Sequence, residues 1–352
     1  MRNPPRGTRG ASLDSLARRD ARPYYLRVAG AEINIAARAQ GIVMLTRKTF
    51  EGPWAGLPVA WDVSGELDEA SYRGAVARCC EMGVPGVYTG GTSGEFYALE
   101  FDDFRRVARA TVEECHSQGI PAMIGCTATS TRGATKRAAH AAELGADAVQ
   151  VALPFWLEVP DSEVVPFMKA VSDAAQGLPL SIYDTVHAKK NLSVDLHRAI
   201  QEAVPNYVMV KATAGTAGCT PEGCAAMNAF VNVFVQETKW GTLGPYGARG
   251  CCSAMVYWNP RVTLGLWNLL REKRWDDLNA ALEPVQALHR FLADHFGPLG
   301  FTDTAYDHMC GVATGFLPIP LRSQGPYRAA VEQDAETLRA WCREHFPELL
   351  EL

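Results

Sequence analysis

The chain has 352 residues, with 34 Lys and Arg against 39 Asp and Glu and a formal net charge of −5. That length supports one large α/β domain with extensions, or two ordinary domains. The acidic balance argues against a general nucleic-acid binder, and no uninterrupted apolar run is long enough to span a membrane.

The first part of the chain stands apart by composition. Residues 1–45 carry eight arginines, from Arg2 to Arg38, against Asp14, Asp20 and Glu32. They lack the apolar core of a secretory signal. Residues 1–48 read as an N-terminal arm with three open readings. It is a partly disordered extension, a transit peptide (against which Asp14 and Asp20 count), or an arm that contacts other subunits through the apolar stretch 31–37.

From about residue 56 a beat sets in: short apolar run, turn, amphipathic helix, turn. The runs fall at 57–60, 86–88, 121–125, 148–151, 180–183, 208–211 and 231–235, with a weaker one at 251–253. They are apolar on both faces, as strands of a buried parallel sheet should be. The helical patterns between them start near Leu67, Glu100 and Thr131 and stop at Gly83, Gly119 and Gly145, where a C-cap glycine belongs. Eight such units predict a (β/α)8 TIM barrel over 49–258. A doubly wound sheet is the alternative, but no glycine-rich dinucleotide fingerprint follows the first run. Beyond it the beat stops. Helices predicted at 263–271, 276–295, 304–314 and 329–344 form a C-terminal helical extension over 259–352.

Ten cysteines occur, with no C-x-x-C pair and no zinc-like spacing. They read as reduced thiols of a cytoplasmic protein, packing as small hydrophobes.

In a barrel, chemistry belongs at the C-terminal ends of the strands. Lys211 ends the run Tyr207-Val208-Met209-Val210. Burial there disfavours the ammonium and lowers the lysine pKa, and a neutral amine condenses with ketones. The plain alternative is a lysine that snorkels to the surface. Tyr183 ends the preceding run, one βαβ step away, so its phenol can meet Lys211 and relay protons. After the second run comes Gly90-Gly91-Thr92-Ser93-Gly94-Glu95. Its backbone amides and two hydroxyls suit a carboxylate; the plain reading is a tight turn before a helix. His187 and Glu237 lie near other strand ends as candidate substrate contacts. The segment 247–250 is a candidate anion loop, with a structural role as the alternative.

Together, Gly91-Thr92-Ser93-Gly94-Glu95, Ile182-Tyr183 and Val210-Lys211 with Gly215 resemble the dihydrodipicolinate synthase / N-acetylneuraminate lyase superfamily over about 55–325. The resemblance implies Lys211 as the Schiff-base nucleophile toward pyruvate or a related 2-oxo acid. It implies Tyr183 as the acid/base, with Thr92 in the relay and Thr92 and Ser93 beside Gly91 holding the carboxylate. It implies an aldehyde as second substrate, no metal or external cofactor, and a homo-oligomer, a tetramer of two dimers. Two departures point away from the synthases. Pro154-Phe155-Trp156 replaces their Pro-Tyr-Tyr, and Ala188 stands where they place an arginine. Pro-x-Trp resembles the hydratase-aldolase branch, in which Trp156 offers an apolar wall unless it merely fills space. Asp184 departs from the asparagine expected there but remains a candidate contact. The expectation is a class I aldolase joining or cleaving pyruvate and an aromatic or apolar aldehyde. The alternatives are a 2-oxo-acid dehydratase, a synthase-like condensing enzyme, and a non-catalytic barrel.

Overall fold

The computed structural model describes residues 45–352 and two earlier strands, β1 (Tyr25–Val28) and β2 (Ala31–Asn34), which pair antiparallel. Apart from those strands and residues 45–48, the arm expected over 1–48 lies outside the described residues. Eight parallel strands then close a barrel: β3 (Gly52–Gly56), β4 (Gly86–Thr89), β5 (Ala122–Gly125), β6 (Ala148–Val151), β7 (Leu180–Asp184), β8 (Tyr207–Ala212), β9 (Asn232–Phe234) and β10 (Ala248–Ser253). Neighbours in sequence are neighbours in space, and β10 pairs with β3 to close the ring.

The first strand differs from expectation. It is Gly52–Gly56, and the apolar run 57–60 is the buried segment that follows it. A run without β-branched alternation at its edges does not reveal which half pairs. The outer helices are α1 (Glu69–Glu81), α2 (Phe101–Ser117), α3 (Thr131–Glu143), α4 (Asp161–Ala174), α5 (Val194–Ala203), α6 (Pro221–Met227) and the short α7 (Trp240–Leu243). Side chains of Asp68, Ser130 and Ser193 cap α1, α3 and α5 by accepting first-turn amide protons. Gly83, Gly119 and Gly145 adopt φ of 72°, 70° and 80°, which ends α1 to α3 and turns the chain into the next strand.

The barrel interior is packed rather than hollow. Phe50, Trp54, Tyr88, Met123, Met209 and Phe234 fill it. Gly86 faces Trp54; a Cβ there would meet the indole at 2.5 Å. The N-terminal mouth is closed by the segment before β3, whose Arg47 and Phe50 carbonyls accept from the Asn232 side chain at 2.8 and 2.7 Å. Chemistry is thereby confined to the other mouth. α8 (Met255–Trp258) follows β10 at that mouth, and α9 (Pro260–Arg271) completes the outer ring, its Trp267 reaching Gly52 at the opposite end of the barrel. The chamber at the mouth is bordered by α8, the end of α10 (Trp275–Phe291) with the turn after it, and α11 (Asp303–Ala313), while α12 (Glu332–His345) packs against α11. No helix among the described residues is long and apolar enough to cross a membrane. All ten cysteines are free, and nine of them are buried.

Candidate active site

The register of β7 against β8 sets Tyr183 directly opposite Lys211. The Lys211 Nζ lies 4.1 Å from the centre of the Tyr183 ring and 5.7 Å from that of Tyr88. The Tyr183 hydroxyl is 3.3 Å from Thr92 Oγ1. Lys211, Tyr183, Thr92, Ser93 and Glu237 border one chamber of ≈ 420 Å³. A second cavity of ≈ 440 Å³ adjoins it through Thr92, Tyr183 and Asp303. Its walls include Phe96, Tyr97, Phe155, Tyr327, His187 and Ala188.

The loop after β4 owes its shape to its glycines. Gly90 has φ of 74°, and a Cβ there would stand 2.6 Å from the carbonyl oxygen of Gly125. At Gly91 a Cβ would meet the Tyr88 hydroxyl at 2.5 Å, and Gly91 borders neither cavity. Its lack of a side chain makes room for Tyr88. Glu95 ends the motif fully buried, accepting from Trp61 Nε1 at 3.0 Å and from the Gln324 amide at 2.7 Å. Burial raises its pKa to about 7, against the pull of those two hydrogen bonds. Glu95 thus ties the Thr92–Ser93 loop to the chain that follows α11.

The electrostatics of Lys211 correct a simpler expectation. Desolvation, the largest single influence, does act to lower its pKa. Tyr183, Cys252 and Asp303 together outweigh it, and the pKa lies above the ordinary 10.5. Lys211 is therefore held toward its ammonium form, with the Tyr183 ring beside it.

Several candidates stand elsewhere than expected. Trp156 is 74% exposed and borders neither cavity. Its carbonyl accepts from Lys189 Nζ at 2.8 Å, and that ammonium lies 5.4 Å from its ring. The apolar wall comes instead from Phe155, one residue earlier. Asp184 is buried behind the barrel, where its carboxylate meets His197 Nε2 at 3.2 Å and accepts from the Leu192 amide. Strand alternation explains this: Tyr183 points inward, so Asp184 points out. Lys190, which with Lys189 is a candidate substitute for the arginine missing at Ala188, is paired with Asp161 and Glu158. The segment 247–250 opens β10 at the end opposite the chamber, with Arg249 donating to the Arg47 carbonyl at 3.2 Å.

Residues that strand-end reasoning passed over also face the chamber. Cys252 comes from β10, its thiol pushed up to about 12 by burial. Asp303 and Asp307 come from α11. Their i, i+4 spacing on one helix was the available signal.

A lysine packed on a strand-end tyrosine at the mouth of a (β/α)8 barrel is the arrangement an amine needs to meet a carbonyl compound. The chain belongs to the dihydrodipicolinate synthetase family, whose model matches residues 49–302, and is a lyase of the aldolase or synthase type. It is 29% identical over 225 residues to a 4-hydroxy-tetrahydrodipicolinate synthase of Nitrobacter hamburgensis, covering 63% of this chain and 75% of that protein. It is 32% identical over 136 residues to an N-acetylneuraminate lyase of Escherichia coli, covering 38% of this chain and 45% of that one. Among solved structures, PhdJ bound to a substrate intermediate superposes with a TM-score of 0.76 at 24% identity, covering 87% of this chain and 98% of PhdJ. YagE from E. coli K12, in complex with pyruvate, superposes at 0.75 and 18% identity, covering 84% and 98%.

Proposed function

We propose that this protein is a class I aldolase that binds pyruvate or a close 2-oxo acid as a Schiff base on Lys211. The observation that carries this is the triad of Lys211, Tyr183 and Thr92 at one mouth, with Tyr183 in contact with both partners. Breaking or making a carbon–carbon bond beside a ketone requires a sink for the electron pair. The iminium on Lys211 accepts it as an enamine and returns it to an electrophile. Tyr183, linked to Thr92, moves protons at the carbinolamine, and the Thr92–Ser93 loop holds the carboxylate. Borohydride reduction in the presence of pyruvate, followed by mass mapping, tests the mechanism.

The aldehyde partner occupies the second cavity. Its walls are aromatic, and Ala188 stands where a guanidinium would clamp a second carboxylate. Lys189 and Lys190 are committed to Trp156 and to Asp161 with Glu158. An aromatic aldehyde should therefore be used with kcat/KM about tenfold or more above aspartate semialdehyde, since burying a ring is worth ~1–3 kcal/mol. Steady-state kinetics with each aldehyde and pyruvate decide it. A win for the semialdehyde would mean that a carboxylate binder has been overlooked.

One observation favours a second reading. Glu237 is 1% exposed and borders the main chamber, where its carboxylate has no hydrogen-bond partner and only His289 Nε2, 3.8 Å away, beside it. A hydroxyl-rich aldehyde lying in the main chamber rather than the second cavity would satisfy it, and a polyhydroxy aldehyde belongs in the same kinetic comparison.

A further inference from the structure

Asp307 lies one turn after Asp303 on α11 and borders the same chamber as Lys211, Thr92 and Ser93. It is 5% exposed, and its Oδ2 has no hydrogen-bond partner. Tyr257, fully buried on α8, also has a hydroxyl without a partner. Asp307, Tyr257 and Ser93 face one another. A buried carboxyl with a free oxygen at the rim of a chamber costs stability unless a ligand completes it.

We propose that Asp307 is a substrate-binding residue whose carboxylic acid group, beside Ser93 and backed by the buried Tyr257, donates a hydrogen bond to the carboxylate of the 2-oxo acid held over Lys211. This rests on the aldolase reading above and extends the carboxylate clamp from the barrel loop to the C-terminal helices. Such a donor must be neutral, because a carboxylate beside a carboxylate repels. The surroundings supply that. Burial is the main influence raising the Asp307 pKa, to about 7, and the charge of Asp303 adds to it. Ser93, Tyr257 and Lys211 pull the other way. Cys310, the other titratable group against it, is buried with its thiol pushed well up and is uncharged at neutral pH. An arriving substrate carboxylate favours the protonated form further. The 2-oxo acid is therefore captured best below about pH 7 and released as Asp307 ionises.

The test uses oxamate, which has the shape and carboxylate of pyruvate but no ketone, so it forms no Schiff base. Its binding to the full-length protein is followed by calorimetry from pH 6 to 8.5. Lys211 is held toward its ammonium form over that range, and Glu95, which also titrates near 7 behind the Thr92–Ser93 loop, is distinguished by Asp307→Asn, whose profile would follow the wild type's if Glu95 set it. Wild type is expected to bind about tenfold more weakly at pH 8.5 than at pH 6. Asp307→Asn keeps a neutral donor and should bind with affinity constant within about twofold across the range. Asp307→Ala should bind about tenfold more weakly than wild type at pH 6. Thermal melts of both variants verify folding. Wild-type affinity for Asp307→Ala at pH 6 overturns the proposal, as does an Asp307→Asn profile parallel to wild type. Pyruvate trapping with borohydride is run alongside. Its failure on wild type with the oxamate profile intact would remove the aldolase reading while leaving Asp307 as a carboxylate site.

Discussion

Lys211→Ala is expected to abolish reductive trapping of pyruvate and to reduce turnover to background, while the far-UV circular dichroism stays that of the wild type. The loss should be nearly complete because, of the two lysines that border the chamber, Lys211 is the one packed on Tyr183, whereas Lys239 is exposed on the loop after β9. Without the iminium the electron pair of the breaking bond has no acceptor. The fold should survive, because Lys211 makes no salt bridge among the described residues and the packing of β8 rests on Met209, Val210 and Ala212. The wild-type reaction carries a pH signature as well. The Lys211 pKa is held above its ordinary 10.5, so the attacking amine is the minor form at neutral pH. Its fraction grows about tenfold for each pH unit below that pKa. At saturating pyruvate, where weaker binding at high pH does not enter, the initial rate of adduct formation should therefore rise from pH 7 to pH 9. Mass mapping locates the adduct, and an adduct on any lysine other than Lys211 would refute the mechanism.

The barrel was legible because its signals are local. Apolar runs of four or five residues, glycines at φ near 70–80° and amphipathic helices repeat at βαβ spacing, and each announces itself in a short window. Lys211, Tyr183 and the Thr92–Ser93 loop were legible for the same reason, since each ends a strand. Orientation was harder to read. Asp184 adjoins Tyr183 in sequence but faces away from it, and one count of strand parity separates them. Trp156 adjoins Phe155, yet irregular loop geometry decides which ring turns inward, and no periodicity reports on loops. The sign of the Lys211 shift was out of reach because it depends on Tyr183, Cys252 and Asp303, which come from β7, β10 and α11. Asp307 was passed over for a related reason. The chamber is roofed by helices that follow the barrel, and a reading confined to strand ends leaves out half of its walls.

Tyr183→Phe is expected to lower kcat by about 10²-fold or more while leaving the fold intact and reductive trapping detectable but slow. The substitution removes a single oxygen. The ring that packs 4.1 Å from Lys211 Nζ remains, so the position of the lysine is kept. What goes is the hydroxyl 3.3 Å from Thr92 Oγ1, the one group placed between the lysine and the polar loop after β4. Lys211 begins as an ammonium and must lose its proton to attack. The carbinolamine must then gain one to expel water. In the proposed mechanism both transfers pass through the Tyr183 hydroxyl. Without it, water must serve, and the expected penalty falls on kcat rather than on KM, because the loop and chamber that bind the 2-oxo acid are unchanged. Thr92→Val tests the chain of contacts further. If Tyr183 works through Thr92, the double variant Thr92→Val/Tyr183→Phe loses little more than Tyr183→Phe alone. Losses that multiply would mean that the two hydroxyls act independently. Near-normal kcat for Tyr183→Phe would remove the phenol from the proton path and direct attention to Cys252 and Asp303, the other titratable groups that bear on Lys211.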